Sequence, residues 1–137
     1  MIRLAKVGDR ESVLALARQF AVSFKVEDGA FELSWNELIV RPDACLFVAE
    51  ESNRIAAYLL GFRHPTFYAN GPVGWVEEVM VEETRRWQGL GSELMRQFEI
   101  WAEDGGCRLV ALATRRASGF YQALGYEESA TYFRKLL

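Results

Sequence analysis

The sequence predicts one mixed α/β domain over residues 1–137, with the element order β-α-α-β-β-β-α-β-α-β. Three observations predict it. Apolar residues recur at helical spacing in some segments and alternate or run together as strands do in others. A strand, a glycine-rich turn, a helix and a second apolar strand follow one another through Gly74–Ala113, a unit whose two strands must be parallel with a right-handed crossover. No linker, repeat or low-complexity stretch divides the 137 residues, a length that suits one hydrophobic core.

The elements follow in order. Ile2-Arg3-Leu4-Ala5-Lys6 alternates apolar and polar residues as a short strand does. Asp9 can cap a helix whose stripe is Val13, Leu16, Ala17, Phe20 and Phe24. After Glu27-Asp28-Gly29, Phe31, Trp35, Leu38 and Ile39 mark a second helix, stopped by Pro42. Cys45–Glu50 and Ile55–Phe62 read as an antiparallel hairpin around Glu51–Arg54. A loop with Pro65, Asn70, Gly71 and Pro72 leads to a strand over Gly74–Val81. The next helix runs from about Gly91 to Asp104, with Leu90, Leu94, Phe98 and Trp101 on its apolar stripe and Gly105-Gly106 at its end. Arg108–Ala113 is a short strand suited to burial in a parallel pair, Ala117–Leu124 a short helix ended by Gly125, and Ser129–Leu136 a closing strand.

Composition removes several classes of function. Half the residues are hydrophobic and 26% charged, a globular balance. The apolar runs, such as Ile55–Gly61, are too short to cross a bilayer, and no charged-then-apolar leader opens the chain, so no membrane role and a cytoplasmic location are expected. A net charge of −3 lacks the basic face that nucleic-acid binding requires. Cys45 and Cys107 read as buried free thiols. With His64 the only histidine, neither a Cys–His nucleophile nor a metal centre is expected.

The chemistry concentrates in Arg85-Arg86-Trp87-Gln88-Gly89-Leu90-Gly91-Ser92, which joins the Gly74–Val81 strand to a helix. Glycines let such a turn approach a ligand closely, and free helix N-terminal amides with the dipole behind them suit phosphate oxygens. The segment lacks the Lys-Ser/Thr ending of a P-loop, and its strand is not the first, which disfavours a Rossmann fingerprint. By itself a two-glycine turn is a weak signal, equally able to shape an ordinary connection.

Two motifs together are far more specific. Arg86-Trp87-Gln88-Gly89-Leu90-Gly91 resembles, at every fixed position, the phosphate-binding signature of the GNAT family of N-acetyltransferases: Arg or Gln, two residues, Gly, one residue, Gly or Ala. Ala117-Ser118-Gly119-Phe120-Tyr121-Gln122-Ala123-Leu124-Gly125-Tyr126 resembles the family's second motif, and the element order is similar over essentially the whole chain. The resemblance implies central parallel strands that splay apart and an acetyl-CoA co-substrate completing the sheet between them. Carried over, it implies pantetheine contacts along Val79, Met80 and Val81, and pyrophosphate contacts from Arg86, Trp87, Gln88, Gly89, Leu90, Gly91 and Ser92. Arg85, Arg86, Arg115 and Arg116 are candidates for the 3′-phosphate. Where the family often has an Asn at the end of the second parallel strand, this chain has Thr114.

Acetyl transfer to an amine needs a base, because alkyl amines are protonated at neutral pH, and an acid for the departing thiolate. The resemblance implies Tyr121 as that acid. Glu77 and Glu78 match an acidic pair found in some family members, including polyamine acetyltransferases. Strand alternation is expected to place Glu77 with Trp75, Val79 and Val81, and Glu78 on the other face. Glu77 is therefore the expected base, acting through water, with Glu78 as the substrate-orienting partner or the alternative base. The alternative for each is a solvated strand carboxylate.

The family's acceptor pockets are built from the N-terminal helices and the loop before the central strand. Those regions supply Phe20, Phe24, Phe31, Trp35, Phe67, Tyr68, Glu27, Asp28 and Glu32, suited to a cationic amine with an apolar body. A small-molecule amine is the expected acceptor, no metal is required, and a homodimer is an assembly the chain allows. The alternatives are a peptide or protein N-acetyltransferase and a non-catalytic acetyl-CoA sensor, which would need neither Glu77 nor Tyr121. A tRNA-directed acetyltransferase would be basic, unlike this chain.

Overall fold

A computed structural model describes residues 1–20, 23–86 and 88–137. Strand β1 (Ile2–Leu4) opens the chain, and a 3₁₀ turn over Val7–Asp9 leads into α1 (Arg10–Phe20). Then follow α2 (Asp28–Leu38), β2 (Ala44–Glu51), β3 (Arg54–His64) and β4 (Val73–Val81). A second 3₁₀ turn, Glu83–Arg85, precedes α3 (Leu90–Asp104), β5 (Val110–Leu112) and α4 (Ser118–Ala123). The strands form one sheet in the order β1-β2-β3-β4-β5, antiparallel except for the parallel pair β4–β5.

Helices cover both faces. On one, Val13, Leu16 and Ala17 of α1 and Trp35 of α2 bury against Val48, Tyr58, Leu60 and Met80. On the other, the α3 stripe of Leu90, Leu94, Met95, Phe98 and Ala102 buries against Cys45, Phe47, Ala49, Ala57, Leu59 and Val76. Adjacent residues of β2 and β3 thus serve opposite clusters, as the two-residue strand period requires. Their burial on both faces explains why β3 reads as a nearly continuous apolar run.

Asp9 does not cap α1 as the sequence suggests. Its carboxylate accepts the Lys6 N–H at 2.7 Å, closing the 3₁₀ turn, and takes both Nη atoms of Arg3 at 2.7 and 3.0 Å. The closing strand expected over Ser129–Leu136 is also not formed. Residues 127–137 are exposed and carry no strand. A strand needs a partner edge, and this segment leads elsewhere: Arg134 donates to Ser23 Oγ, on the connection between α1 and α2, at 3.3 Å. Cys45 is a buried free thiol, whereas Cys107 is only half-buried. Among the described residues, no helix is long and apolar enough to cross a membrane, and no three His, Cys, Asp or Glu residues gather as metal ligands.

Candidate active site

The parallel pair that positions the site is brief. Gly74, Trp75 and Val76 of β4 face Val110, Ala111 and Leu112 of β5, and there the ladder ends while β4 continues to Val81. The two strands part at this point.

A bulge sits where they part. Across β3–β4, Leu60 opposes Glu78 but Gly61 opposes Val76, which leaves Glu77 as the extra residue. The backbone agrees. Gly74 N–H donates to Leu109 O, towards β5, while Glu82 N–H donates to Ala56 O, towards β3. Residues of equal parity in an unbroken strand would point the same way, so one residue has been inserted between them. Counting back from Glu82, the N–H and C=O groups of Val79 and Val81 turn to the edge that β5 leaves. Those of Met80 turn to β3, and its side chain is buried against Tyr58 and Leu60. Met80 is therefore a core residue, unlike Val79 and Val81.

The same insertion overturns the expected alternation of the carboxylates. Val79 and Val81 pack on the α3 side. Trp75, between the α3-facing Gly74 and Val76, points to the α1–α2 side, and its Nε1–H donates to Glu77 Oε2 at 2.8 Å. Glu78 Oε1 accepts the Tyr58 O–H at 2.6 Å on that same side. Glu77 and Glu78 thus open onto one cleft instead of opposite faces. Their environments differ. Glu77 is exposed, whereas burial raises the Glu78 carboxyl above the ordinary range, the Tyr58 hydrogen bond opposing this and the nearby Glu77 charge adding to it.

The cleft has a volume of about 1240 Å³ and runs between the α1–α2 side of the sheet and the β5–α4 connection. Glu77, Glu78, Val79, Thr114 and Tyr121 all line it. Tyr121 stands on α4, edge-on to Phe120 and Tyr126 with ring centres 4.9 and 6.0 Å away. Its own burial raises the phenol pKa, so the hydroxyl keeps its proton at neutral pH. The Thr114 hydroxyl accepts the Ala117 N–H at 3.1 Å and shapes the turn into α4.

Beyond the cleft, past the C-terminal end of β4, lies the glycine-rich turn. Gly89 caps α3 with φ +83, in the left-handed region that glycine enters without strain. A Cβ on Gly91 would stand 3.2 Å from Phe120, so the second glycine allows α4 to close on the start of α3. The first bond within α3 is Glu93 N–H to Gly89 O, so the amides of Leu90, Gly91 and Ser92 have no acceptor inside the helix. Arg86 Nε donates to Val81 O at 3.3 Å, on the edge left by β5. Arg85 is instead paired with Glu51 at 3.1 Å. Trp87 lies outside the described residues.

The Acetyltransferase (GNAT) family model matches residues 11–126. This chain belongs to the GNAT family. A glucosamine 6-phosphate N-acetyltransferase of Oryza sativa subsp. japonica is 31% identical over 84% of this chain and 73% of its own. A thialysine N-epsilon-acetyltransferase of Bos taurus is 30% identical over 93% and 84%. The crystal structure of an Arabidopsis thaliana glucosamine-6-phosphate N-acetyltransferase superposes with a TM-score of 0.88 at 25% identity, over 99% of this chain and 97% of that one. The chain is thus an acetyl-CoA-dependent N-acetyltransferase of GNAT fold, a five-stranded mixed sheet carrying four α-helices among the described residues.

Sequence reasoning missed Tyr58, which holds Glu78. The signal was a single phenol in an otherwise apolar, doubly buried strand, since a buried hydroxyl needs a partner. Of the acceptor residues expected, Phe20, Phe24, Glu27, Phe31 and Trp35 line the cleft. Phe67 and Tyr68 do not; they project into solvent from the β3–β4 connection. Asp28 pairs with Arg18, and Glu32 is exposed.

Proposed function

We propose that this GNAT enzyme acetylates the primary amine of a small molecule, with Glu78 as the base and Tyr121 as the acid. One observation supports this above all. The β4 bulge and α4 turn Glu78 and Tyr121 into one cleft, at the place where the parallel strands part. Acetyl-CoA supplies the activated acetyl group. Its pantetheine suits the outward N–H and C=O groups of Val79 and Val81, and its pyrophosphate the helix-terminal amides of Leu90, Gly91 and Ser92. Gln88, Gly89 and Arg86 shape or border that cradle, and Thr114 shapes the opposite wall.

Glu78 takes the ammonium proton so that the nitrogen lone pair can attack the acetyl carbonyl. A carboxylate lifted by burial holds that proton better than an exposed one, which favours Glu78 over the exposed Glu77. Glu77, tied to the Trp75 indole, orients the incoming cation. As the carbon–sulfur bond breaks, the Tyr121 hydroxyl gives its proton to the departing sulfur; the second nitrogen proton is lost to solvent as the amide forms, and solvent restores the Tyr121 proton. Small-molecule acceptors are named for both relatives, glucosamine 6-phosphate and thialysine.

Release of free thiol from acetyl-CoA, followed across a panel of amines, tests the transfer. Tyr121→Phe keeps the ring packing and removes the proton donor; turnover should fall more than tenfold, general-acid help being worth ~100-fold or more, while acetyl-CoA affinity stays constant. An unchanged rate with a good acceptor would reduce Tyr121 to a packing residue.

A further inference from the structure

The acceptor half of the cleft lies between the sheet and the α1–α2 helices, and its lining is sharply divided. The surface it offers is largely apolar: Phe24, Phe31, Leu38, Leu46, Leu60 and Trp75. Phe31 stacks on the buried Trp35 with ring centres 5.9 Å apart, which fixes this wall. Charge enters around it. The carboxylates of Glu77 and Glu78 stand on the sheet, and the exposed Lys25 and Glu27 stand on the connection between α1 and α2, where Arg134 reaches Ser23; Arg115 and Arg116 line the cleft from the β5–α4 connection. The buried hydroxyl of Tyr58 is already given to Glu78.

Resting on the acetyltransferase reading, we infer that the acceptor is a primary amine on an uncharged, apolar body, an alkyl or arylalkyl amine. The ammonium group meets Glu78, and the hydrocarbon body lies along the aromatic and aliphatic wall. A sugar hydroxyl placed against these apolar side chains would lose its water and gain no partner from them, which selects against polyhydroxylated amines. The side-chain cations lining the cleft, Lys25, Arg115, Arg116 and Arg134, are all exposed, so none stands deep beside the apolar wall to receive an acceptor phosphate.

A homologous series of n-alkylamines, from propyl to heptyl, measures this directly, because the members share one ammonium chemistry and differ only in apolar surface. With the wild-type chain and saturating acetyl-CoA, kcat/KM should rise about fourfold per added methylene until the wall is covered. Phenethylamine should exceed glucosamine 6-phosphate and an aminoglycoside at least tenfold. Phe24→Ser, at an exposed position, should flatten the series and leave acetyl-CoA binding, followed by calorimetry, unchanged. A flat series in the wild type, or a preference for either sugar amine or for a peptide amine, would overturn the apolar acceptor while leaving acetyl transfer standing. Acetyl-CoA binding with no turnover on any amine, and no binding of phenethylamine to the acetyl-CoA complex, would overturn both.

Discussion

Glu78 sets stability against chemistry. Burial holds its folded-state pKa above the unfolded value, so between those two values the folded chain carries more protons than the unfolded one. Stability from this group is present at low pH and falls as pH rises through the window, which makes the ionised carboxylate a cost at neutral pH. Glu78→Gln should therefore raise the Tm near pH 7 while lowering turnover, since a glutamine still accepts the Tyr58 O–H but takes no proton. The turnover defect should shrink between about pH 7 and 9, as more amine arrives already deprotonated. Glu77→Gln should raise KM with a weaker dependence on pH. Thermal melts and rate profiles on both variants test the assignment, and a larger, pH-rescued defect in Glu77→Gln would return the base to Glu77. The acidic pair was legible in the sequence. Which member is buried was not, because that depends on Tyr58, a partner on another strand.

At the scale of elements, β4 and α3 divide the work: the strand offers an edge and the helix offers its N-terminus. The glycine spacing announced the helix end, because left-handed backbone at Gly89 and close approach at Gly91 are both demands on residue type. Gly89→Asp tests the cradle. Nothing stands within 4 Å of a Cβ there, and Asp tolerates left-handed backbone better than most residues, so the fold should survive. Its carboxylate would face the pyrophosphate at the same amides. Acetyl-CoA affinity should fall at least tenfold in calorimetry, with the melting transition intact; undiminished affinity in a folded variant would move the phosphate site elsewhere. The bulge in β4 could not be read in the same way. A strand's period is a local property, but a bulge is a mismatch of count between two strands, visible only once Leu60 and Gly61 are aligned against it.

For the whole molecule, the N-terminal strand is held by ionic contacts more than by burial. Arg3 of β1 spans Asp9, ahead of α1, and Glu50 of β2, at 2.7 and 3.1 Å. The Arg3 hydrogen bonds hold the Asp9 carboxyl below its usual range, so the folded chain binds fewer protons there than the unfolded one. Its contribution is complete above the unfolded carboxylate pKa of about 4 and disappears as acid carries the pH through the lower folded value. Asp9→Asn should cost about 2 kcal/mol at neutral pH, a fall in Tm of roughly 5–8 °C, with the difference from wild type closing in acid. Equal melting of the two proteins at pH 7 would make the cluster incidental. The chain's own sequence determined the family and the order of elements through α4, and it held the glycine-rich turn, the acidic pair and Tyr121 as candidates, since these rest on residue type and short-range spacing. Tertiary structure decided which carboxylate is buried, which backbone edge is open, and that residues 127–137 lie over the molecule without joining the sheet. Each of these turns on a partner distant in sequence: Tyr58 for Glu78, β3 for the register of β4, and Ser23 for the C-terminal segment.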